Sequence, residues 1–207
     1  MTDQPTVAAV RLNHAVLFVT DVDRAVDFYT GVFDMTVIVR EPRANAAFLR
    51  LRRGGNHHDL GLFGLGPAAR KHRGVGLYHL AWQVDTIDEL ATAQVALAEA
   101  GALTGASGHG ATKSLYGADP DGNEFEIMWM LPREAWGEHE HSAVVERLDL
   151  AGELRRWSGV RTAGRITADT AVLADTATAD TDTATAATDT DTADTDTATD
   201  SPAATPA

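Results

Sequence analysis

LNHAVLFVTDVD, residues 12–23, returns 65 positions later as LYHLAWQVDTID, residues 77–88. Both stretches read Leu-x-His, then apolar residues, a valine and a turn with aspartate. Self-similarity at a fixed offset marks a duplicated unit, so each copy is read as the opening of one module.

An amphipathic helix is predicted after each opening. Val22, Ala25, Val26, Tyr29, Val32 and Phe33 recur at helical spacing, with Asp21 placed to cap them. Ile87, Leu90, Ala91, Gln94, Leu97 and Ala98 do the same in the second copy, and Gly101 closes it. Three strand-like segments follow each helix: 35–40, 46–52 and 58–63, then 102–106, 113–117 and 124–130. Glu41-Pro42, Arg53-Gly54-Gly55-Asn56 and Asp119-Pro120-Asp121-Gly122-Asn123 supply turns between them. The expected class is α+β, with two tandem βαβββ modules forming an open, cupped β-barrel. One module buries only one sheet face. Two of them, side by side or exchanged between chains, enclose a concave interior.

Duplication places equivalent residues symmetrically about that interior, so His14 and His79 are expected to face each other. Strand alternation puts His14, Val16 and Phe18 on one face and His79, Ala81 and Gln83 on the matching one. Glu126 stands inside GNEFEIMW, and a carboxylate on an apolar strand is costly unless paired or bound to a metal. Two histidines and one carboxylate with open positions form the facial set of non-haem Fe(II) oxygenases. His14, His79 and Glu126 are therefore the candidate ligands of one divalent ion: Fe(II), with Mn, Ni or Zn as alternatives.

LNHAVLFV, GLYHLAWQV and DPDGNEFEI together resemble the vicinal-oxygen-chelate superfamily over roughly residues 10–132. That superfamily includes glyoxalase I, bleomycin- and fosfomycin-resistance proteins, methylmalonyl-CoA epimerase and extradiol catechol dioxygenases. Resemblance to the extradiol branch implies catalytic roles for His58 in HHDLGLF and Tyr116 in SLYGADPDGNEFE, with His109 in SGHGAT as a supporting histidine. It implies a small aromatic substrate and O2. A histidine exchanges protons near neutral pH, and a tyrosine hydroxyl can hydrogen-bond a substrate oxygen. Two other readings stand beside it. Glyoxalase-like lyases add a second carboxylate, and the Gly-Asn register of the final turns aligns Asp59 with Glu126 as a fourth ligand. A metal-free module that sequesters an aromatic compound leaves the three ligand-type residues without a task. Extradiol enzymes often carry a second, inactive copy of the domain; this chain has no room for one, and a homodimer is expected.

The remainder sets the frame. Residues 1–10 read as an arm, and 11–132 as the domain, with modules at 11–65 and 76–131. Residues 133–160 form an extension in which Leu148, Leu150, Leu154 and Trp157 mark a short amphipathic helix. His139 and His141 are read as lying on a solvated loop. Phe18, Phe48 and Trp82 are candidates to line an aromatic pocket. Residues 166–207 are almost entirely Ala, Thr and Asp and read as a disordered tail. Nine aspartates lie beyond Arg165 with no Lys, Arg or Glu, so the net charge of −13 becomes −4 for residues 1–165. No basic stripe remains to favour nucleic acid. There is no cysteine, hence no disulfide or thiolate ligand. The N-terminus lacks a signal-peptide pattern and no membrane-length apolar run occurs, so a cytoplasmic protein is expected.

Removing residues 166–207 is expected to leave the thermal midpoint unchanged. A large drop in that midpoint would show that the tail packs on the domain.

Overall fold

Asp21 accepts a hydrogen bond from Arg24 N at 3.1 Å, and Thr86 accepts one from Glu89 N at 3.2 Å. These two caps start the long helices at the points their sequences mark. The computed structural model describes residue 7 and residues 9–70, 74–142 and 144–163; the 166–207 tail lies outside them.

Module one runs β1 (Ala15–Val19), α1 (Val22–Phe33), β2 (Thr36–Glu41), β3 (Ala46–Arg50) and β4 (Leu60–Gly64). Module two runs β5 (Leu80–Gln83), α2 (Ile87–Glu99), β6 (Leu103–Gly108), β7 (Thr112–Ala118) and β8 (Glu124–Met130). Helix α3 (Leu150–Trp157) follows two short 3-10 turns. The sheets have the same order, β1-β4-β3-β2 and β5-β8-β7-β6, with the first strand parallel to the last in each. They remain two four-stranded sheets and are not closed into a barrel. No helix among the described residues is long and apolar enough to cross a membrane.

Each sheet hides one face under its own helix. Leu17, Val19, Leu49, Leu60 and Leu62 are buried with Val22, Ala25, Val26 and Tyr29. Leu115, Ile127 and Trp129 are buried with Ile87, Leu90 and Leu97. The opposite face of β1 is open: Val16 is 50 % and Phe18 65 % exposed. Trp82 packs toward the helix-covered core, its ring 6.0 Å from Phe33, so it does not share the open face with Phe18. Alternation explains this, since Ala81 and Gln83 take the exposed side of β5.

The modules meet through α1. Phe28 and Phe33 pack on Phe125 at 6.0 and 5.1 Å, the first tilted and the second edge-on. Polar contacts flank them: Thr20 N and Oγ1 donate to Asp121 at 2.8 and 2.6 Å, and Arg24 pairs with Asp121 at 2.6 Å. Buried Asp119 accepts from the N–H groups of Asp121 and Asn123, from the Asn123 amide, and from the Tyr29 hydroxyl at 3.2 Å. Burial, with the Asp119 charge beside it, holds the Tyr29 phenol far above its usual range.

The extension is tied down at several points. Leu148, Leu150, Leu154 and Trp157 pack on the second core. Buried Lys113 faces Glu153 at 3.5 Å and Glu146 at 3.6 Å. Ser158 Oγ and Gly159 N donate to Asp88, and Thr162 N to Asp85.

Asp119→Ala strands several donors, including the buried Tyr29 hydroxyl. It should cost about 2–4 kcal/mol in denaturant unfolding, whereas Tyr29→Phe should cost about 1 kcal/mol. Equal costs would mean that Asp119 matters only through Tyr29.

Candidate active site

Repeat symmetry carries through to the strands. His14 immediately precedes β1 as His79 immediately precedes β5. In module two the pairing register sets Ala81, Glu126 and Tyr116 in one row across three strands. Their side chains, with His79, share the sheet face that α2 does not cover. His79 Nε2 lies 3.1 Å from Glu126 Oε2. Donors each roughly 2.1 Å from one ion, in adjacent coordination positions, stand roughly 3 Å apart, so this pair fits two ligands of a single metal. The His79 Nδ1 is buried without a hydrogen-bond partner, so Nε2 is the ring nitrogen turned to the carboxylate.

Tyr116 stands beside this pair, its hydroxyl 3.5 Å from Glu126 Oε1 and 2.7 Å from His109 Nε2. Ser107 Oγ lies 2.8 Å from His109 Nε2 and 3.3 Å from the Tyr116 hydroxyl. The His109 Nδ1 is 2.9 Å from the Val144 carbonyl. Sequence reasoning missed Ser107 and Val144. Ser107 was open to discovery as the residue two before His109 on a strand; a backbone carbonyl leaves no trace in side-chain pattern.

Module one contributes a second group. The His14 and His58 rings lie against each other, tilted, with centroids 4.5 Å apart, and Phe48 meets His58 edge-on at 5.3 Å. Strand β4 begins at Leu60, so His58 sits in the preceding turn rather than opening the strand. Asn56 and Asp59 fold that turn: Asn56 Nδ2 donates to Asn13 O and to Asp59 Oδ1, and Leu51 N donates to Asp59 Oδ2. Burial holds His58 below the usual histidine range, assisted by His14 and His57 nearby.

The same turn removes Asp59 from the ligand set. Its buried carboxylate is occupied by Leu51 and Asn56. Register points elsewhere too. Val16 pairs with Gly61 as Ala81 pairs with Glu126, so Gly61 is the counterpart of Glu126. A Cβ at Gly61 would lie 3.3 Å from both Phe48 and Val16, which fill that space. Module one therefore offers a histidine and no carboxylate.

His14 itself does not reach the other two. Its described contacts are Asn13 and His58, and no group of three His, Asp or Glu among the described residues is placed to hold a metal. A cleft of about 640 Å³ runs along the open face of β1, lined by Val16, Phe18, Leu65, Arg70, Tyr78 and Asp121. His139 differs from the solvated-loop expectation, since its ring packs against Gly110 and its Nδ1 is buried. His141 is exposed.

Residues 11–127 match the sequence model of the Glyoxalase/Bleomycin resistance protein/Dioxygenase superfamily. A curated relative, the catechol-2,3-dioxygenase of Bacillus subtilis, is 30 % identical over 128 residues, which is 60 % of this chain and 43 % of the relative. The chain thus spans under half the length of that relative. Among solved structures, a glyoxylase/bleomycin resistance protein/dioxygenase domain from Frankia sp. EAN1pec is 25 % identical with a TM-score of 0.52. It covers 65 % of this chain and 100 % of that one. A glyoxalase/dioxygenase from Nostoc punctiforme is 20 % identical with a TM-score of 0.51, covering 62 % and 99 %.

Asp59→Ala is expected to cost about 2–3 kcal/mol of stability while leaving the metal content per chain unchanged. Loss of metal in the folded variant would return Asp59 to the ligand set.

Proposed function

The chain belongs to the glyoxalase/bleomycin resistance protein/dioxygenase superfamily, and within it we propose an Fe(II)-dependent extradiol dioxygenase that opens a catecholic ring beside its two hydroxyls. The observation that carries this reading is the convergence of His79, Glu126, Tyr116 and His109 on one uncovered sheet face. The likeness to a catechol-2,3-dioxygenase supports it. The Gly61 register favours three protein ligands over the four of a lyase-type site.

His14, His79 and Glu126 would hold the iron. Bound iron would supply the redox-active centre at which a catechol and O2 are brought together. The chain's own groups do the rest. His58 is held below its usual range, so near pH 7 it is neutral and able to accept a proton from a catechol hydroxyl. Tyr116 meets a substrate oxygen beside Glu126, oriented by His109. Phe48 supports the His58 ring from its edge.

A homodimer is part of the proposal. Within one chain module one turns α1, not its open sheet face, toward module two. His14 of one copy would complete the set begun by His79 and Glu126 of another. The exposed Val16, Phe18, Leu77 and Tyr78 are the apolar side chains that such an assembly would cover.

The test is anaerobic Fe(II) loading followed by a catechol panel in air, read by oxygen uptake and the yellow ring-opened product. About one iron per chain is expected, lost in Glu126→Ala. His58→Phe should keep its iron and lose about 10²- to 10⁴-fold in rate. Tyr116→Phe should lose less. Light scattering should give twice the chain mass. Turnover of a thiol hemithioacetal under Ni or Zn, with no catechol consumed under Fe(II), would replace this reading with a lyase.

A further inference from the structure

The family match ends at residue 127, yet the chain beyond it reaches the site. Glu146 N donates to Gly108 O and Gly108 N donates to Glu146 O, both at 2.9 Å. The segment around Glu146 thereby lies along the end of β6 as a backbone-paired strap. The Glu146 side chain lies over Gly108, where a Cβ would stand 3.0 Å from Glu146 Cγ. Lys113 holds the strap from the sheet side and α3 through Glu153.

The strap delivers the Val144 carbonyl to His109 Nδ1 at 2.9 Å. A carbonyl oxygen only accepts, so Nδ1 must carry the proton, and in the neutral ring Nε2 is then bare. Two hydroxyls face that one lone pair, Tyr116 at 2.7 Å and Ser107 at 2.8 Å. The phenol is the more acidic and closer donor. Ser107 is then left to donate to the Tyr116 oxygen, 3.3 Å away.

We propose that the C-terminal strap is a working part of the site: the Val144 carbonyl fixes His109 as its Nδ1–H tautomer, and His109 in turn holds the Tyr116 hydroxyl proton. The Tyr116 oxygen consequently presents a lone pair beside Glu126, ready to accept a hydrogen bond from a substrate hydroxyl. Val144 and His109 are positioning residues; neither touches the reacting atoms. The consequence for rate rests on the dioxygenase reading, whereas the tautomer does not.

The experiment is imidazole ¹⁵N NMR on the metal-free, full-length chain, with His109 identified by its loss in His109→Gln. The expected signature is the Nδ1–H tautomer. Glu146→Ala, which keeps the backbone N–H, should retain it. Glu146→Pro removes that N–H and should shift His109 toward a mixture with the Nε2–H form. On whichever catechol the wild type turns over, Glu146→Pro should lower kcat about tenfold with iron content and KM little changed. An Nε2–H tautomer in the wild type overturns the proposal whatever the activity. So does a folded Glu146→Pro protein with an unaltered tautomer. If the wild type turns over no catechol but shows the Nδ1–H form that responds to Glu146→Pro, the strap stands and the dioxygenase reading falls.

Discussion

A four-stranded sheet has two faces, and each module of this chain has one helix with which to cover them. Leu17, Val19, Leu60 and Leu62 take the covered side of sheet one, as Leu115, Ile127 and Trp129 do in sheet two. Burying each such side chain is worth about 1.5–3 kcal/mol, which makes the choice of face and register firm. The other faces are left bare, and these carry His14, His79, Tyr116 and Glu126. The site is thus a by-product of unequal cover: the fold must leave a face open, and polar groups with metal-binding and proton-handling chemistry occupy it.

Polar groups inside the fold then determine what each face can do. Asp119 collects four donors and joins the turn before β8 to α1, fixing where the strand that carries Glu126 begins. Asp59 does the corresponding work in module one, folding the turn that brings His58 onto His14. Two aspartates in the turns before the last strands therefore act as scaffolds, and on the open face module one has Gly61 where module two has Glu126. This asymmetry favours a three-ligand site. It also puts His58 on one module and the Tyr116–His109 pair on the other.

Much of this was legible in the sequence because the signals were local and periodic. Helix α1 declares itself through Val22, Ala25, Val26 and Tyr29, and its cap through Asp21. The repeated Leu-x-His marks His14 and His79 without any knowledge of the fold. The alternative that Asp59 is a fourth ligand rested on the turns alone. Aligning the two Gly-Asn turns assumes that they fold alike, but hydrogen bonds from Asn56 and Leu51 reshape the first, and strand pairing makes Gly61 the true counterpart of Glu126. Trp82 was placed by chemical type rather than by its side of the strand. The Val144 carbonyl was out of reach, since backbone acceptors carry no sequence signature. How the modules dock depends on Phe28, Phe33 and Phe125 meeting across the repeat, a long-range contact that no window of sequence contains.

The assembly of one metal site from two copies can be measured by mixing variants that each lack a different ligand. His14→Ala and Glu126→Ala chains would be unfolded together, refolded and loaded with Fe(II). If His14 of one copy completes the site of another, random pairing leaves about a quarter of the sites intact, and iron returns to the mixture in that proportion. If all three ligands belong to one chain, the mixture binds no more iron than either variant alone, and the shared site is wrong.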